Sequence, residues 1–191
     1  MKTGMKVLIG VVIVVFLLGG WFISTRNGLV SLEEEVNLQF SQIETTLQRR
    51  SDLIPNMVET TKGFIGHENE VYTEIANARA KLAGGIQNGD IESINEANNA
   101  LDSALSRLLM ITENYPELKA NEQFTALQDE LAGTENRIAV ARQHYNEAVN
   151  KYNKKLKMFP ASIVANMSGF EKADYFEADE GAKEVPKISF D

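Results

Sequence analysis

Two adjacent arginines and a nearby aspartate are the first candidates for a binding site. Arg49, Arg50 and Asp52 lie together in an RRSD sequence. Arg50 falls three residues after Leu47 and four before Ile54, which places it on the apolar face of a helix. A buried charge without a partner costs several kcal/mol. Arg50 therefore needs either a bound carboxylate or phosphate, or an acidic side chain of the protein.

Two acids are candidate partners for Arg50. Glu68 also lies on an apolar stripe, three residues after Ile65 and four before Tyr72. Glu135 comes later in the chain. We favour a structural ion pair that fixes helix register. The alternative is a small anion held between helices by Arg49 or Arg50.

The two histidines do not have the spacing of a metal site. Di-iron bundles use Glu-x-x-His on two helices, whereas Phe64 and Ala141 precede His67 and His144 by three residues. Zinc needs more His or Cys ligands than two histidines supply, and cysteine is absent. No oriented nucleophile or glycine-rich phosphate loop is recognisable. We predict no metal, no cofactor and no enzymatic activity.

Two Tyr-Asn pairs share one helix face. Tyr145-Asn146 and Tyr152-Asn153 are seven residues apart. Such pairs could line a recognition groove. More often a tyrosine in this pattern belongs to the core and its hydroxyl is hydrogen-bonded at the edge.

The elements that position these residues are predicted to be helices. Strand-like alternation is absent, and apolar residues recur every three or four positions, almost as in a coiled coil. The first series continues in phase across Pro55, which predicts a helix kinked there or two helices meeting there. Its members are Leu29, Leu32, Val36, Phe40, Ile43, Leu47, Ile54, Val58, Ile65, Tyr72, Ile75 and Leu82.

The rest of the chain predicts further helices. Glycines at 84–85 and the sequence at 88–90 predict a loop. A second helix is expected from about Ile91 to Asn114, and a third from the N-cap Asn121 to the stop at Phe159-Pro160. Residues 160–170 allow one short helix. We therefore expect an all-α, up-and-down helix bundle with long helices.

An apolar segment precedes this bundle. Residues 7–23 contain no charged or strongly polar side chain and would reach roughly 25 Å as a helix, the short end for a membrane span. A cleaved signal peptide is the alternative, but Phe22-Ile23-Ser24 is a poor cleavage site. We expect a short basic N-terminus at 1–6 and an uncleaved transmembrane helix at 7–24, in contact with the lipid bilayer.

Charge predicts the direction of this anchor and excludes one class of partner. Lys2 and Lys6 precede the span, and three glutamates at 33–35 follow it, so the bundle is expected outside the cytoplasm of a single-pass protein in the cell (inner) membrane. The net charge is −8, and removing the three cations of residues 1–26 leaves −11. That surface excludes non-specific nucleic-acid binding and should stand off anionic lipid.

Two long motifs resemble the LemA family. The segment from Asn27 to Glu68 resembles its first motif, through LQRRSDLIPNMVETTKG and His67-Glu68. The segment from Glu113 to Asn153 resembles its second, through ENYPELKAN, GTENRI, Ala141-Arg142 and both Tyr-Asn pairs. Departures are Arg26, where the family commonly has Tyr, and Met57, where it has Leu. The resemblance implies an up-and-down four-helix bundle behind one N-terminal transmembrane segment, and it implies no catalytic activity.

These observations predict a non-enzymatic, membrane-tethered scaffold or adaptor for an unknown membrane or envelope protein. We expect it to be monomeric or weakly self-associated, and the alternative function is a ligand-sensing bundle. The bundle is expected at 27–170 and an acidic tail at 171–191, whose apolar residues Tyr175, Phe176, Val185, Ile188 and Phe190 could dock on the bundle. Motif residues that could take part in interactions are Arg49, Arg50, Asp52, Asn56, His67, Glu68, Glu135, Arg142, Tyr145 and Asn146.

Overall fold

The computed structural model describes residues 3–65 and 68–177, and within them it contains helices and connections but no strand. The all-α prediction is thereby confirmed. The helices are α1 (Thr3–Lys62), α2 (Asn69–Asn88), α3 (Ile91–Thr112), α4 (Pro116–Lys119), α5 (Glu122–Lys157) and α6 (Ala161–Ser168).

The helices belong to two compact units. The anchor unit combines Met1–Gln39 with Tyr145–Asp174, and the hairpin unit combines Phe40–His144 with the chain from Tyr175 onward. The helices α1 and α5 each contribute residues to both units. In the anchor unit the buried side chains include Leu29, Val36, Val149, Leu156 and Val164; in the hairpin unit they include Ile43, Leu47, Ile54, Leu82, Ile94, Leu101, Leu108, Phe124 and Ile138.

The first helix is continuous with the apolar segment before it, but it ends at Lys62, before the predicted apolar series ends at Leu82. It runs for 60 residues with Pro55 inside it, so the alternative of two helices meeting at Pro55 is wrong. Proline removes one backbone donor, but Ile54 and Met57 on either side are buried and hold the helix in place. The chain leaves helical geometry after Lys62, where the N–H groups of Phe64 and Ile65 both donate to the carbonyl of Thr61.

The N-terminal part of α1 is uncovered. All described residues up to Trp21 are exposed, and by length and composition α1 is the one described helix that could cross a membrane. Large apolar side chains in water are unfavourable at about 25 cal/mol per Å². Covering this stretch with an apolar environment would therefore be favourable.

The predicted loop at residues 84–85 is wrong, because both glycines lie inside α2. A Cβ on Gly85 would lie 3.1 Å from the backbone nitrogen of Ile94. Glycine thus allows the end of α2 to approach the start of α3.

The turn between α2 and α3 is Gly89-Asp90. Gly89 has a φ of 65°, and the Asp90 carboxylate caps α3 by accepting hydrogen bonds from the N–H groups of Glu92 and Ser93. The Ser93 hydroxyl, as the largest cause, lowers the pKa of Asp90.

The C-terminal helices begin and end close to the predicted positions. The side chain of Asn121 accepts a hydrogen bond of 3.0 Å from the N–H of Phe124, as expected of an N-cap for α5. The helix ends at Lys157, before the cis Phe159–Pro160 peptide bond, and α6 ends at Gly169 with a φ of 74°. The short helix α4 was not predicted.

Candidate functional site

Arg50 occupies a buried position in the hairpin unit. Its neighbours along the same face of α1, Leu47 and Ile54, are fully buried. The helix period that buries them also carries the Arg50 side chain inward, where only 6% of it remains exposed. The inward placement predicted from spacing is therefore present in the structure.

The guanidinium of Arg50 joins three helices. Its Nη1 donates to Asn98 Oδ1 on α3 at 2.9 Å and lies 2.6 Å from Glu135 Oε2 on α5. Its Nη2 pairs with Asp102 Oδ1, also on α3. The amide of Asn98 in turn donates to Asp102 Oδ2 at 2.9 Å, which fixes the carboxylate towards the arginine. We call Arg50, Asn98, Asp102 and Glu135 the arginine cluster.

The charges of the arginine cluster decide what it can do. One guanidinium faces two carboxylates, so the cluster carries a formal charge of −1. The side chains of Asp102 and Glu135 are 35% and 46% exposed, so water solvates the acids more than it solvates the cation. An incoming anion would meet two negative charges before it reached Arg50. This arrangement suits a structural pair that fixes helix register and does not suit a site held open for an anion.

Sequence reasoning considered two acids as partners and missed two of the residues that form the cluster. Glu135 is present, whereas Glu68 precedes α2 and is not among the contacts of Arg50. Asn98 and Asp102 were missed. The signal was available for Asn98, which lies four residues after Ile94 and three before Leu101 on the buried face of α3. A polar residue on such a face calls for a polar partner.

The remaining residues of the RRSD sequence make contacts outside the arginine cluster. Arg49 Nη2 lies 2.7 Å from Glu130 Oε1, an oxygen it shares with Arg137. Asp52 accepts a hydrogen bond from the Gln48 amide one turn earlier. Ser51 is buried and accepts from Arg79 Nε of α2 at 3.0 Å. These contacts tie α1 to α2 and α5.

Other candidate residues lie apart from the arginine cluster. Asn56 is exposed, and Glu68 and Asn146 are half-buried. His67 lies outside the described residues. The guanidinium carbon of Arg142 lies 5.5 Å from the centre of the Phe176 ring.

Phe176 of the acidic tail packs within the hairpin unit. Phe176 is buried, and its ring is stacked on that of Phe40 at a centroid distance of 6.4 Å. Tyr175 beside it is exposed. The predicted docking residues Val185, Ile188 and Phe190 lie outside the described residues.

The two tyrosines of the Tyr-Asn pairs lie in the anchor unit, buried and with bonded hydroxyls. Tyr145 donates to the carbonyl of Asp174 at 3.0 Å, and Tyr152 donates to the Glu33 carboxylate at 3.2 Å. Burial and the nearby Asp174 raise the pKa of Tyr145 to about 12. Burial and the Glu33 carboxylate raise the pKa of Tyr152 to about 12. Both contacts are those of core tyrosines with a polar edge.

The part of the chain that the structure describes brings together no group of three or more His, Asp and Glu side chains able to hold a metal ion. The arginine cluster joins α1 to α3 by hydrogen bonds and to α5 by an ion pair, and it contains no hydroxyl or thiol group. Its chemistry is that of an interhelical connection.

Comparison with known proteins gives the family. The sequence model of the LemA family matches residues 39–190. Magnetosome protein MamQ 2 of Paramagnetospirillum magneticum is 26% identical over 188 residues, covering 85% of this chain and 68% of that protein. MamQ of Magnetospirillum gryphiswaldense is 24% identical over 186 residues, with the same coverage. Protein LemA of Metamycoplasma hominis is 26% identical over 161 residues, covering 83% of this chain and 72% of that protein. Since the family model spans well over half of the sequence, this chain belongs to the LemA family.

Proposed function

We propose that this protein is a non-enzymatic, membrane-tethered scaffold or adaptor for other membrane or envelope proteins. The observation that carries the proposal is the continuity of α1, which joins an uncovered apolar segment to both helical units without a break.

The uncovered apolar segment supports the tethering. Residues 7–24 have the length and composition of a membrane span, and none of their large apolar side chains is buried by the protein. A bilayer core of about 30 Å would cover them. The cations Lys2 and Lys6 before the span support a single-pass orientation in the cell (inner) membrane with the helical units outside the cytoplasm.

The helical segments of the hairpin unit are proposed to form an up-and-down four-helix bundle. The tight Gly89-Asp90 turn supports an antiparallel pairing of α2 and α3. The arginine cluster links α1 to α3 and α5, and the Arg79–Ser51 hydrogen bond links α2 to α1. Four long helical segments are thus connected by polar contacts inside the hairpin unit.

A role in assembly is supported better than a reaction. The arginine cluster uses its charges internally, so it offers no group to a substrate. The relatives MamQ 1 and MamQ 2 are named as magnetosome proteins and not for a reaction. The ligand-sensing alternative is weakened because Arg50 already faces two carboxylates.

Crosslinking in intact membranes tests the adaptor role. A photo-crosslinking amino acid is placed at Met110 on α3 or at Val140 on α5, two exposed apolar positions of the hairpin unit. The buried Leu101 is the matched control position. We expect discrete adducts with one membrane or envelope protein from an exposed position and none from Leu101. Adducts with lipid alone, or none at all, would contradict the adaptor role.

A further inference from the structure

The corner between α5 and α6, residues 154–167, exposes a group of large apolar side chains. Phe159 is 81% exposed and Met167 is 72% exposed, and Met158 and Ile163 beside them are also exposed. The opposite side of α6, formed by Ala161, Val164 and Ala165, is buried. The helix therefore has two apolar faces, one of which packs in the anchor unit while the other is uncovered. An uncovered apolar group of this kind marks a contact with a partner or a membrane.

The same corner is locally basic, although the protein as a whole is acidic. Residues 151–157 read KYNKKLK, with four lysines and no acid. Lys154, Lys155 and Lys157 are exposed, and none of them forms an ion pair with a described residue. Cations beside exposed apolar side chains are the combination that favours an anionic lipid surface.

The position of the corner along α1 follows from contacts inside the anchor unit. Tyr152 of α5 bonds to Glu33 of α1. With the two helices antiparallel, Leu156 is level with Leu29 and Val149 is level with Val36, and all four are buried. In the parallel direction, Val36 would instead be level with Lys155, which is exposed. The burial pattern therefore fits the antiparallel direction better.

This register places the corner at the end of the apolar segment. Lys157, the last residue of α5, comes five residues after Tyr152 and is therefore level with Gly28, five residues before Glu33. Gly28 follows Ile23, the last residue of the apolar run, by five residues or about 7.5 Å of helix. Phe159, two residues beyond Lys157, thus lies close to the level at which α1 would leave a bilayer.

The burial of residues along α1 independently supports the same level for the point at which α1 would leave a bilayer. Every described residue up to Trp21 is exposed, whereas Phe22 and Thr25 are half-buried. These two positions continue the stripe that leads to Leu29 and Val36 at helical spacing. Because Phe22 belongs to the apolar run, the stripe that packs within the anchor unit extends into the predicted span.

We propose that the α5–α6 corner is a second membrane contact, which binds anionic phospholipid at the interface where α1 emerges. Phe159, Ile163 and Met167 insert at the boundary between headgroups and acyl chains. Lys154, Lys155 and Lys157 contact the anionic headgroups through flexible stems. The net charge of the whole domain predicts repulsion from such a surface, but the corner reverses that sign locally. This inference rests on the tethering proposed above.

Spin-label accessibility in vesicles tests the contact with the full chain. The sequence has no cysteine, so a single label is introduced by Asn166→Cys on the exposed face of α6. The matched control is Asn150→Cys, an exposed position on α5 further from the corner. A third label, Val14→Cys, reports on the anchor itself. The vesicles contain phosphatidylcholine with phosphatidylglycerol, or phosphatidylcholine alone.

The measured quantity is the ratio of a label's collisions with oxygen, which is enriched in lipid, to its collisions with a water-soluble nickel complex. We expect this ratio to be several-fold higher for the label at 166 than for the label at 150. Phosphatidylglycerol should increase this ratio. A label at 166 that is as aqueous as the label at 150, while the label at 14 is in lipid, overturns the second contact and leaves the tether standing. Aqueous values at both 14 and 166 overturn both proposals.

Substitutions identify the side chains responsible for the proposed membrane contact. Phe159→Asp should return the label at 166 to the aqueous value, whereas Leu38→Asp, at another exposed apolar position of the anchor unit, should leave it unchanged. Replacing Lys154, Lys155 and Lys157 by Gln should abolish the effect of phosphatidylglycerol. Equal effects of Phe159→Asp and Leu38→Asp would contradict the proposal. Circular dichroism checks that each variant is folded, and the comparison of 166 with 150 needs none of these substitutions.

Discussion

Arg50 Nη1 on α1 lies 2.6 Å from Glu135 Oε2 on α5. The contact joins two helices of the hairpin unit through one desolvated guanidinium. Removing Arg50 leaves its acids without their cation, and breaking such a pair costs roughly 3–5 kcal/mol. Asp102 and Glu135 are partly exposed and can be rehydrated, so we expect Arg50→Leu to cost about 3 kcal/mol, near the low end of that range.

Urea unfolding of the full chain in mild detergent measures this cost. With a denaturant slope of about 2 kcal/mol per molar, the midpoint should fall by about 1.5 M. Arg49→Leu is the control, because its ion pair is mostly exposed and should contribute about 0–1 kcal/mol. Replacing Arg50, Asp102 and Glu135 together by apolar residues should recover much of the loss. A midpoint that is unchanged or higher in Arg50→Leu would make Arg50 a ligand-binding candidate.

The adjacent glycines of α2 provide a second, internally controlled prediction. A Cβ at position 84 would meet no atom within 4 Å, so Gly84→Ala should stabilise the protein by up to about 1 kcal/mol through helix propensity. A Cβ at position 85 would lie 3.1 Å from the Ile94 nitrogen and 3.3 Å from the Ser93 carbonyl carbon, which are backbone atoms that cannot move separately. Gly85→Ala should therefore destabilise by about 1–3 kcal/mol.

Thermal or urea unfolding of the Gly84→Ala and Gly85→Ala variants tests this prediction. The prediction is a difference in sign between neighbouring positions. Two midpoints shifted in the same direction would mean that the close approach of α2 to α3 is not present in solution.

Tyr152 predicts how stability depends on alkaline pH. Its pKa is raised from 10.0 to about 12 by burial and by Glu33. Between these two values the unfolded chain has lost the hydroxyl proton and the folded chain has kept it, so the free energy of unfolding falls as pH rises. The stabilisation is fully present below pH 10. We expect Tyr152→Phe to reduce the loss of stability between pH 10 and pH 12.

Urea midpoints at pH 9 and pH 11 measure this effect. Tyr115→Phe is the control, because the Tyr115 hydroxyl forms no hydrogen bond to a described residue. An equal alkaline loss in wild type and in Tyr152→Phe would show that the contact with Glu33 does not protect the hydroxyl. Tyr145 has a raised pKa as well, so Tyr152→Phe is expected to remove part of the loss and not all of it.

Helix periodicity predicts much of this fold because it reports burial directly. The stripe that contains Leu47 and Ile54 is buried, and it also carries Arg50 inward. Capping chemistry gives the start of α5 through Asn121. These features depend on residues close together in the sequence, so local spacing is enough to find them.

Contacts between distant residues explain what the sequence did not predict. Pro55 and Gly85 usually interrupt helices, but at Pro55 the buried flanks Ile54 and Met57 hold α1, and at Gly85 the approach of Ile94 makes glycine the fitting residue. The partners of Arg50 lie on α3 and α5, so several acids remain possible until the helices are placed. The level of Lys157, at the end of α5, beside Gly28 likewise follows from the Tyr152–Glu33 contact between α5 and α1.

Cysteine labelling in intact cells tests the membrane tether and its direction most directly. The chain has no native cysteine, so Asn88→Cys, exposed at the end of α2, and Thr3→Cys, at the start of α1, each give a single reporter. In cells whose cytoplasmic membrane is intact, we expect a membrane-impermeant thiol reagent to label position 88 and to label position 3 only after that membrane is permeabilised. Labelling of position 3 without permeabilisation, or of position 88 only after it, would contradict the proposed tether and orientation.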